Sequence, residues 1–99
     1  MAEKKEIGPG KNAPGEDVEE LYNNQSSNWD VQLACVAHKN VPATVLEAAV
    51  QHKDWRVRAA AVRHKAATPE QLQRWGDSSD HDLRWLVRRR KIDESNGKL

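Results

Sequence analysis

Phenylalanine is absent from this 99-residue chain, cysteine occurs once, and no long apolar run is present. The single cysteine, Cys35, excludes an internal disulfide framework and any four-thiolate metal or iron–sulfur site within one chain. A bilayer span needs about 18 consecutive apolar residues. The charged first six residues also lack the apolar segment of a secretory signal. These absences predict a soluble, cytoplasmic protein with no membrane contact.

The chain also lacks an excess of charge of either sign, and it has few large apolar side chains. Sixteen basic residues stand against 15 acidic ones, and the formal net charge of +1 gives the whole chain no strong field. Hydrophobic residues make up 37% of the chain, and 12 of them are alanines. The length allows one small domain, whose core must be built largely from small side chains in close contact.

The two ends of the chain are too polar to join such a core. Residues 1–15 hold three of the five glycines and two of the four prolines, among charged side chains. A stretch of this kind cannot bury enough apolar surface to offset its ordering entropy. We therefore predict a disordered N-terminal tail over residues 1–15, a folded domain over residues 16–91 and a frayed C-terminal tail over residues 92–99.

An internal repeat lies within the predicted domain. Residues 28–39 match residues 54–65 at an offset of 26, with six of the twelve positions identical. Residues 80–91 form a third, weaker copy at the same offset. Repeats of this length are typical of architectures in which each unit packs only on its neighbours.

Each copy has the apolar spacing of a helix, which we name the B helix. Apolar residues recur at i, i+3 and i+4 from Val31, Val57 and Leu83, and His38, His64 and Arg90 stand at i+7 on the same face. A shorter apolar segment precedes each copy and predicts an A helix, with Leu46 and Leu72 in register at 26. The segment from Thr68 carries a capping box, since Thr68 is followed by proline and, three residues on, by glutamine. The pattern predicts an all-α solenoid of about three helix pairs.

The middle copy resembles the leucine-rich repeat variant family and, more widely, the HEAT-like helical repeats. The resemblance rests on Asp54-Trp55-Arg56-Val57-Arg58-Ala59-Ala60-Ala61-Val62-Arg63-His64, followed by Thr68-Pro69-Glu70-Gln71-Leu72. It implies a right-handed superhelix, in which Arg58 and Arg84 form a structural ladder with neighbouring acids such as Asp54 and Asp80. Two departures are a unit slightly longer than usual and Gln32 in place of the ladder arginine. The resemblance implies a scaffold and no particular chemistry.

Cations recur at the ends of the B helices, where His38-Lys39, His64-Lys65 and Arg90-Lys91 stand in register. They predict a basic ridge composed of Lys39, Arg63, Lys65, Arg88, Arg89, Arg90 and Lys91. The ridge could follow a phosphate backbone or an acidic protein face. Alternatively, the cations only stabilise helix C-termini, at about 0.3–1 kcal/mol each. The preferred interpretation is that the cations only stabilise the helix C-termini.

Tryptophans form a second recurring feature, because Trp29 and Trp55 open successive B helices in register. Stacking on a base or docking of a peptide is possible chemistry for them, but packing between repeats is the preferred interpretation. Trp75 and Trp85 are expected in the core or at the cap of the last pair. Exposure of Trp85 would mark a contact surface.

No motif predicts catalysis or a bound cofactor. The four histidines are too widely spaced to share a metal ion, and neither a nucleophile elbow nor a glycine-rich phosphate loop occurs. We therefore expect a non-enzymatic protein–protein interaction module with a protein partner, present as a monomer or a weak homodimer. The alternative is nucleic-acid binding through the basic ridge at the C-terminal ends of the second helix of each repeat.

Overall fold

The computed structural model describes residues 8–98, and every regular element within them is an α-helix. The helices are α1 (Gly15–Asn24), α2 (Trp29–Val36), α3 (Ala43–Ala49), α4 (Trp55–Arg63), α5 (Pro69–Gly76) and α6 (His81–Ser95). The prediction of an all-α chain is confirmed for this part of the chain. The A helices of the sequence correspond to α1, α3 and α5, and the B helices to α2, α4 and α6.

Side-chain caps fix where the later helices begin. The Thr68 hydroxyl accepts from the Gln71 backbone N–H at 3.1 Å, and the Gln71 side chain accepts from the Thr68 N–H at 3.0 Å. This is the predicted capping box of α5. Asp54 and Asp80 are the N-caps of α4 and α6: Asp54 accepts from the Arg56 backbone N–H, and Asp80 accepts from those of Asp82 and Leu83.

The helices pack in a regular order along the chain. α4 contacts both α2 and α6, so the three B helices lie in succession. Each B helix also packs against the A helix before it, which gives the contacts α1 with α2, α3 with α4 and α5 with α6. α1 and α3 are in contact as well. Successive B helices are therefore in contact, and so are the first two A helices.

The core consists mainly of valine, leucine and alanine from these contacts. Among the repeat positions, Val57, Leu83 and Leu46 are buried, whereas Val31 and Leu72 are partly buried against the same core. Val36 and Val62 stand at equivalent positions of α2 and α4 and are both completely buried. The equivalent residue of the last copy, Arg88, is exposed, since no other helix of residues 8–98 covers it.

The C-terminal boundary differs from the sequence prediction. α6 continues to Ser95, beyond the predicted domain end at residue 91, and Asp93 in the predicted tail is buried. The first two B helices end six residues before Pro42 and Pro69, and no proline follows the third copy. Since proline cannot continue a helix, only the last B helix is free to extend.

The N-terminal boundary also differs in the part that the structure describes. The Gly10 carbonyl oxygen lies 2.8 Å from Nε2 of His38, and Asn40 donates from its side chain to the Ala13 carbonyl oxygen at 2.9 Å. Residues 10–13 are therefore attached to the loop after α2 rather than free. The rest of the predicted tail, residues 1–7, lies outside the described residues.

Candidate binding surfaces

The histidines at the ends of α2 and α4 form a ladder between successive copies. Nδ1 of His38 accepts from the Asn40 backbone N–H, so its Nε2 carries the ring proton and donates to the Gly10 carbonyl oxygen at 2.8 Å. His64 repeats the arrangement: its Nδ1 accepts from the Ala66 N–H and its Nε2 donates to the His38 carbonyl oxygen at 2.8 Å. Both ring nitrogens are thus occupied by backbone groups.

Arg90 takes the same position in the last copy and also points into the protein. Its Nη1 donates to the carbonyl oxygens of Val62 at 2.6 Å and His64 at 2.9 Å, and the residue is only 7% exposed. Its Nε lies 3.6 Å from the Glu94 carboxylate. This burial corrects the prediction that Arg90 lines an exposed ridge.

Two further arginines of the predicted ridge are held by one carboxylate. Arg63 donates to Asp93 at 2.6 Å, and Nε of Arg89 lies 3.4 Å from the same side chain. The hydrogen bond from Arg63 lowers the pKa of Asp93 despite the opposing effect of burial, and the positive charge of Arg89 lowers it further. Arg63 and Arg89 therefore have their charges partly compensated within the fold.

The remaining ridge residues separate into two places. Lys39 and Lys65 stand beside Arg63 around a shallow groove of about 750 Å³, whose floor is formed by alanines. The Lys39 ammonium also donates to the Asn12 side chain at 3.0 Å. Arg88 and Lys91 lie instead on the outer face of α6, around a different groove. The continuous basic ridge of the sequence prediction is therefore interrupted.

Three tryptophans are exposed to a degree unusual for this side chain. The exposed fractions are 40% for Trp29, 61% for Trp55 and 59% for Trp85, whereas Trp75 is buried and donates to Glu47. The guanidinium of Arg56 lies 3.6 Å above the Trp29 ring, which joins α2 to α4 by a cation–π contact. Packing between repeats therefore accounts for part of the Trp29 surface but not for Trp55.

Trp55 and Trp85 line one groove of about 400 Å³ between the starts of α4 and α6. Leu86 provides an apolar wall, and Lys53 lies at the edge. Arg58 crosses the groove with its Nη1 3.6 Å from Asp80 and its Nη2 3.4 Å from Asp82. The predicted pairing of Arg58 with Asp80 is present, and it fixes this arginine between the two copies.

The predicted arginine ladder does not continue from Arg58 to Arg84, because Arg84 lies on the outer face of α6. Arg84, Arg88 and Lys91 follow one another at i, i+4 and i+7 and line a second groove of about 540 Å³. His81 and Trp85 complete its rim. None of the carboxylates in residues 8–98 lies within 4.0 Å of these three cations. We name this surface the α6 groove.

No protein-family model, curated protein or solved structure matches this chain. Over residues 8–98, no three His, Cys, Asp or Glu side chains lie close enough together to share a metal ion. The same part of the chain has no helix of the length and apolar character that a bilayer crossing requires. Its function must therefore be inferred from the surfaces described above.

The α6 groove includes two residues, His81 and Arg84, that were not among the residues predicted to bind a ligand. The family resemblance implies a place in a structural ladder for Arg84, and His81 is one of the four histidines too widely spaced to share a metal ion. The available signal was the arginine at residue 88, where the first two copies have Val36 and Val62. The face of α6 that corresponds to these valines is not covered by any other helix of residues 8–98, so polar residues there meet solvent.

Proposed function

We propose that this chain is a non-enzymatic binding module on a small helical-repeat scaffold of the leucine-rich repeat variant or HEAT-like kind. In this proposal the helices form three pairs in a right-handed superhelix with a 26-residue period. The proposal is supported by the succession of B-helix contacts. It is further supported by the hydrogen bonds from His64 to His38 and from Arg90 to His64, each spanning 26 residues.

The favoured ligand is a protein, and the groove between Trp55 and Trp85 is the observation that carries this choice. Tryptophans dominate binding energy at protein interfaces because they bury a large apolar surface at a small cost in side-chain entropy. Here Arg58 is already fixed by Asp80 and Asp82, so the walls of the groove are ordered before a partner arrives. An apolar side chain of the partner would enter between the rings, with Leu86 at its base.

The test uses the full chain as bait in an extract of its host, followed by purification of the captured protein. We expect the purified partner to bind the chain directly and Trp55→Ala to weaken it by about 30-fold or more, as loss of a hot-spot residue does. Trp29→Ala is the matched control, because Trp29 is also exposed but lies outside the groove. Equal binding by wild type and Trp55→Ala would contradict the proposal.

The alternative, nucleic-acid binding through the basic ridge, has less support. Arg90 is buried, and Arg63 and Arg89 are paired with Asp93. Beside the alanine groove this leaves Lys39 and Lys65, and Lys39 is hydrogen-bonded to Asn12. Two lysines provide little of the phosphate neutralisation on which such binding depends.

A further inference from the structure

We propose that the α6 groove is a binding site for single-stranded nucleic acid. In this site Trp85 is the platform on which a base stacks, and Arg84, Arg88 and Lys91 contact the phosphates on either side of it. None of the three cations of this site lines the protein-binding groove, although both grooves share the Trp85 ring. The inference therefore goes beyond the proposed protein binding and does not depend on it.

The position of the groove explains why its central cation, Arg88, is exposed. Residue 88 is equivalent to Val36 and Val62, which are covered by the next B helix and completely buried. In the third copy the same position is the exposed Arg88. A polar terminal face is sufficient for solubility, but a face of one charge sign creates a field that attracts anions.

The acidic residues near α6 pair with only some of its cations. Two of these cations, Arg89 and Arg90, are each paired with an acid of the same helix, Asp93 and Glu94 respectively. Arg84, Arg88 and Lys91 have no carboxylate from residues 8–98 within 4.0 Å. The ion pairs of α6 thus involve other side chains, and the surface formed by Arg84, Arg88 and Lys91 keeps its positive charge.

The dimensions of the groove fit a short stretch of one strand. The seven steps from Arg84 to Lys91 rise by about 10 Å along the helix, which is about the length of three stacked nucleotides. Arginine binds phosphate through two parallel N–H groups, so Arg84 and Arg88 would fix the backbone in place. A surface with one helix face and one aromatic ring is too small to span both backbones of a duplex.

The lining of the groove favours a base over an apolar protein side chain. Trp85 is 59% exposed at the rim, and only Val87 and Gly76 provide apolar surface beneath it. An added Cβ on Gly76 would meet Val87 at 3.3 Å, so the floor is closely packed and offers no deep apolar pocket. Stacking needs only an open aromatic face beside positive charge, and that combination is characteristic of single-strand binding.

The direct test is fluorescence anisotropy of the full chain with labelled oligothymidylate and oligouridylate of about 15 nucleotides, a length that covers such a site. At about 50 mM salt we expect binding whose log–log salt slope is near −2, since three phosphates each contribute about 0.7. Arg88→Gln with Lys91→Gln should reduce the slope to about −0.7. Trp85→Leu should weaken binding by about five- to 150-fold and leave the slope unchanged.

Two control variants separate this site from the other surfaces. Lys39→Gln with Lys65→Gln removes the same charge from the predicted ridge, and Trp55→Ala alters the protein-binding groove; both should bind the oligonucleotides as wild type does. Loss of oligonucleotide binding in either variant would overturn the assignment to the α6 groove. Retained oligonucleotide binding by Trp55→Ala, together with loss of the protein partner, would show that the two proposals stand or fall separately.

Three other outcomes would also overturn the proposal. The first is an absence of oligonucleotide binding at about 50 mM salt. The second is equal affinity for single-stranded and duplex DNA with no effect of Trp85→Leu, which would indicate unspecific attraction of polyanions. The third is competition by poly-glutamate as effective as that by unlabelled oligothymidylate, which would identify a surface for acidic proteins.

Discussion

His52 is the centre of a hydrogen-bonded chain that links three parts of the fold. Its Nδ1 accepts from the Asp54 backbone N–H at 2.9 Å, so the proton of the neutral ring lies on Nε2, which donates to the Gln32 side chain at 2.7 Å. Gln32 in turn donates to the Tyr22 carbonyl oxygen at 3.1 Å. Gln32 stands where the other copies have Arg58 and Arg84. The hydrogen bonds through His52 and Gln32 therefore take the place of an arginine–carboxylate ion pair.

The neutral form of His52 is required by these contacts, and we predict a pH-dependent stability from it. Burial lowers the pKa of His52, the charges of Lys53 and Arg58 lower it further, and Asp54 opposes them. As pH falls, the unfolded chain therefore takes up this proton first. The contribution of His52 to stability is complete above the ordinary histidine pKa of about 6.5 and is lost as pH falls through the lower folded value.

Urea unfolding at about pH 7.5 and pH 5, on either side of the ordinary histidine pKa, measures this effect. We expect wild type to lose more stability between the two conditions than His52→Gln does, by about 1 kcal/mol for the hydrogen bond from Asp54 that a charged ring cannot accept. His81→Gln is the matched control, because His81 is exposed. An identical pH dependence in wild type and His52→Gln would show that the ring does not report on folding.

Glu47 shows why some residues of the fold could not be predicted from the repeat. Its carboxylate accepts from the side chains of Gln71, Arg74 and Trp75 at 2.9–3.1 Å and so joins α3 to α5. Desolvation raises the pKa of Glu47, but these hydrogen bonds outweigh it and the pKa lies below its ordinary value. The positions 26 residues before and after are Leu21 and Gln73, so no repeated pattern marks the contact.

Within the elements, the B helices end in a common hydrogen-bond pattern with different side chains. His64 donates to the carbonyl oxygen of His38, and Arg90 donates to that of His64. These carbonyls stand at or beyond the ends of α2 and α4, where no intrahelical donor reaches them. The longer arginine performs the same task from within α6, which has not yet ended at residue 90.

We predict that Arg90 is a structural residue with a measurable effect on stability. Arg90→Met leaves the carbonyl oxygens of Val62 and His64 without this donor and should lower the free energy of unfolding by about 2–4 kcal/mol. Arg90→Lys keeps one charged donor and should lie between this variant and wild type. Urea unfolding gives the values, with Arg84→Met on the outer face as a control expected within about 0.5 kcal/mol of wild type.

The same elements show how far sequence patterns extend. The start of α5 was predictable because a capping box is a local signal carried by Thr68 and Gln71. The end of α6 was not, because it depends on Asp93 reaching Arg63 of the preceding B helix, 30 residues away in sequence. The separation of the basic ridge into two surfaces has the same origin. Local pattern thus located the helices, whereas contacts between copies decided which cations face solvent.

At the scale of the whole molecule, the outer face of α6 differs from the equivalent faces of α2 and α4, because it carries an exposed charge at Arg88. Val36 and Val62 are buried under the next B helix, and Arg88 at the equivalent position is exposed. Trp85 and Ile92, which are 59% and 46% exposed, lie on either side of it on the same helix. A charge between two exposed apolar side chains is a typical device against unwanted association.

We predict that Arg88 keeps this face from pairing with a second copy. Antiparallel contact of two α6 helices would place the Arg88 side chains of both near each other, and this like-charge contact opposes association. Arg88→Val restores the residue of the internal copies and completes an apolar stripe with Trp85 and Ile92. Sedimentation velocity should therefore show a larger species for Arg88→Val but not for Arg88→Lys, and the species should disappear when Trp85→Ser is added. If Arg88→Val and wild type sediment alike, the terminal charge has no such role.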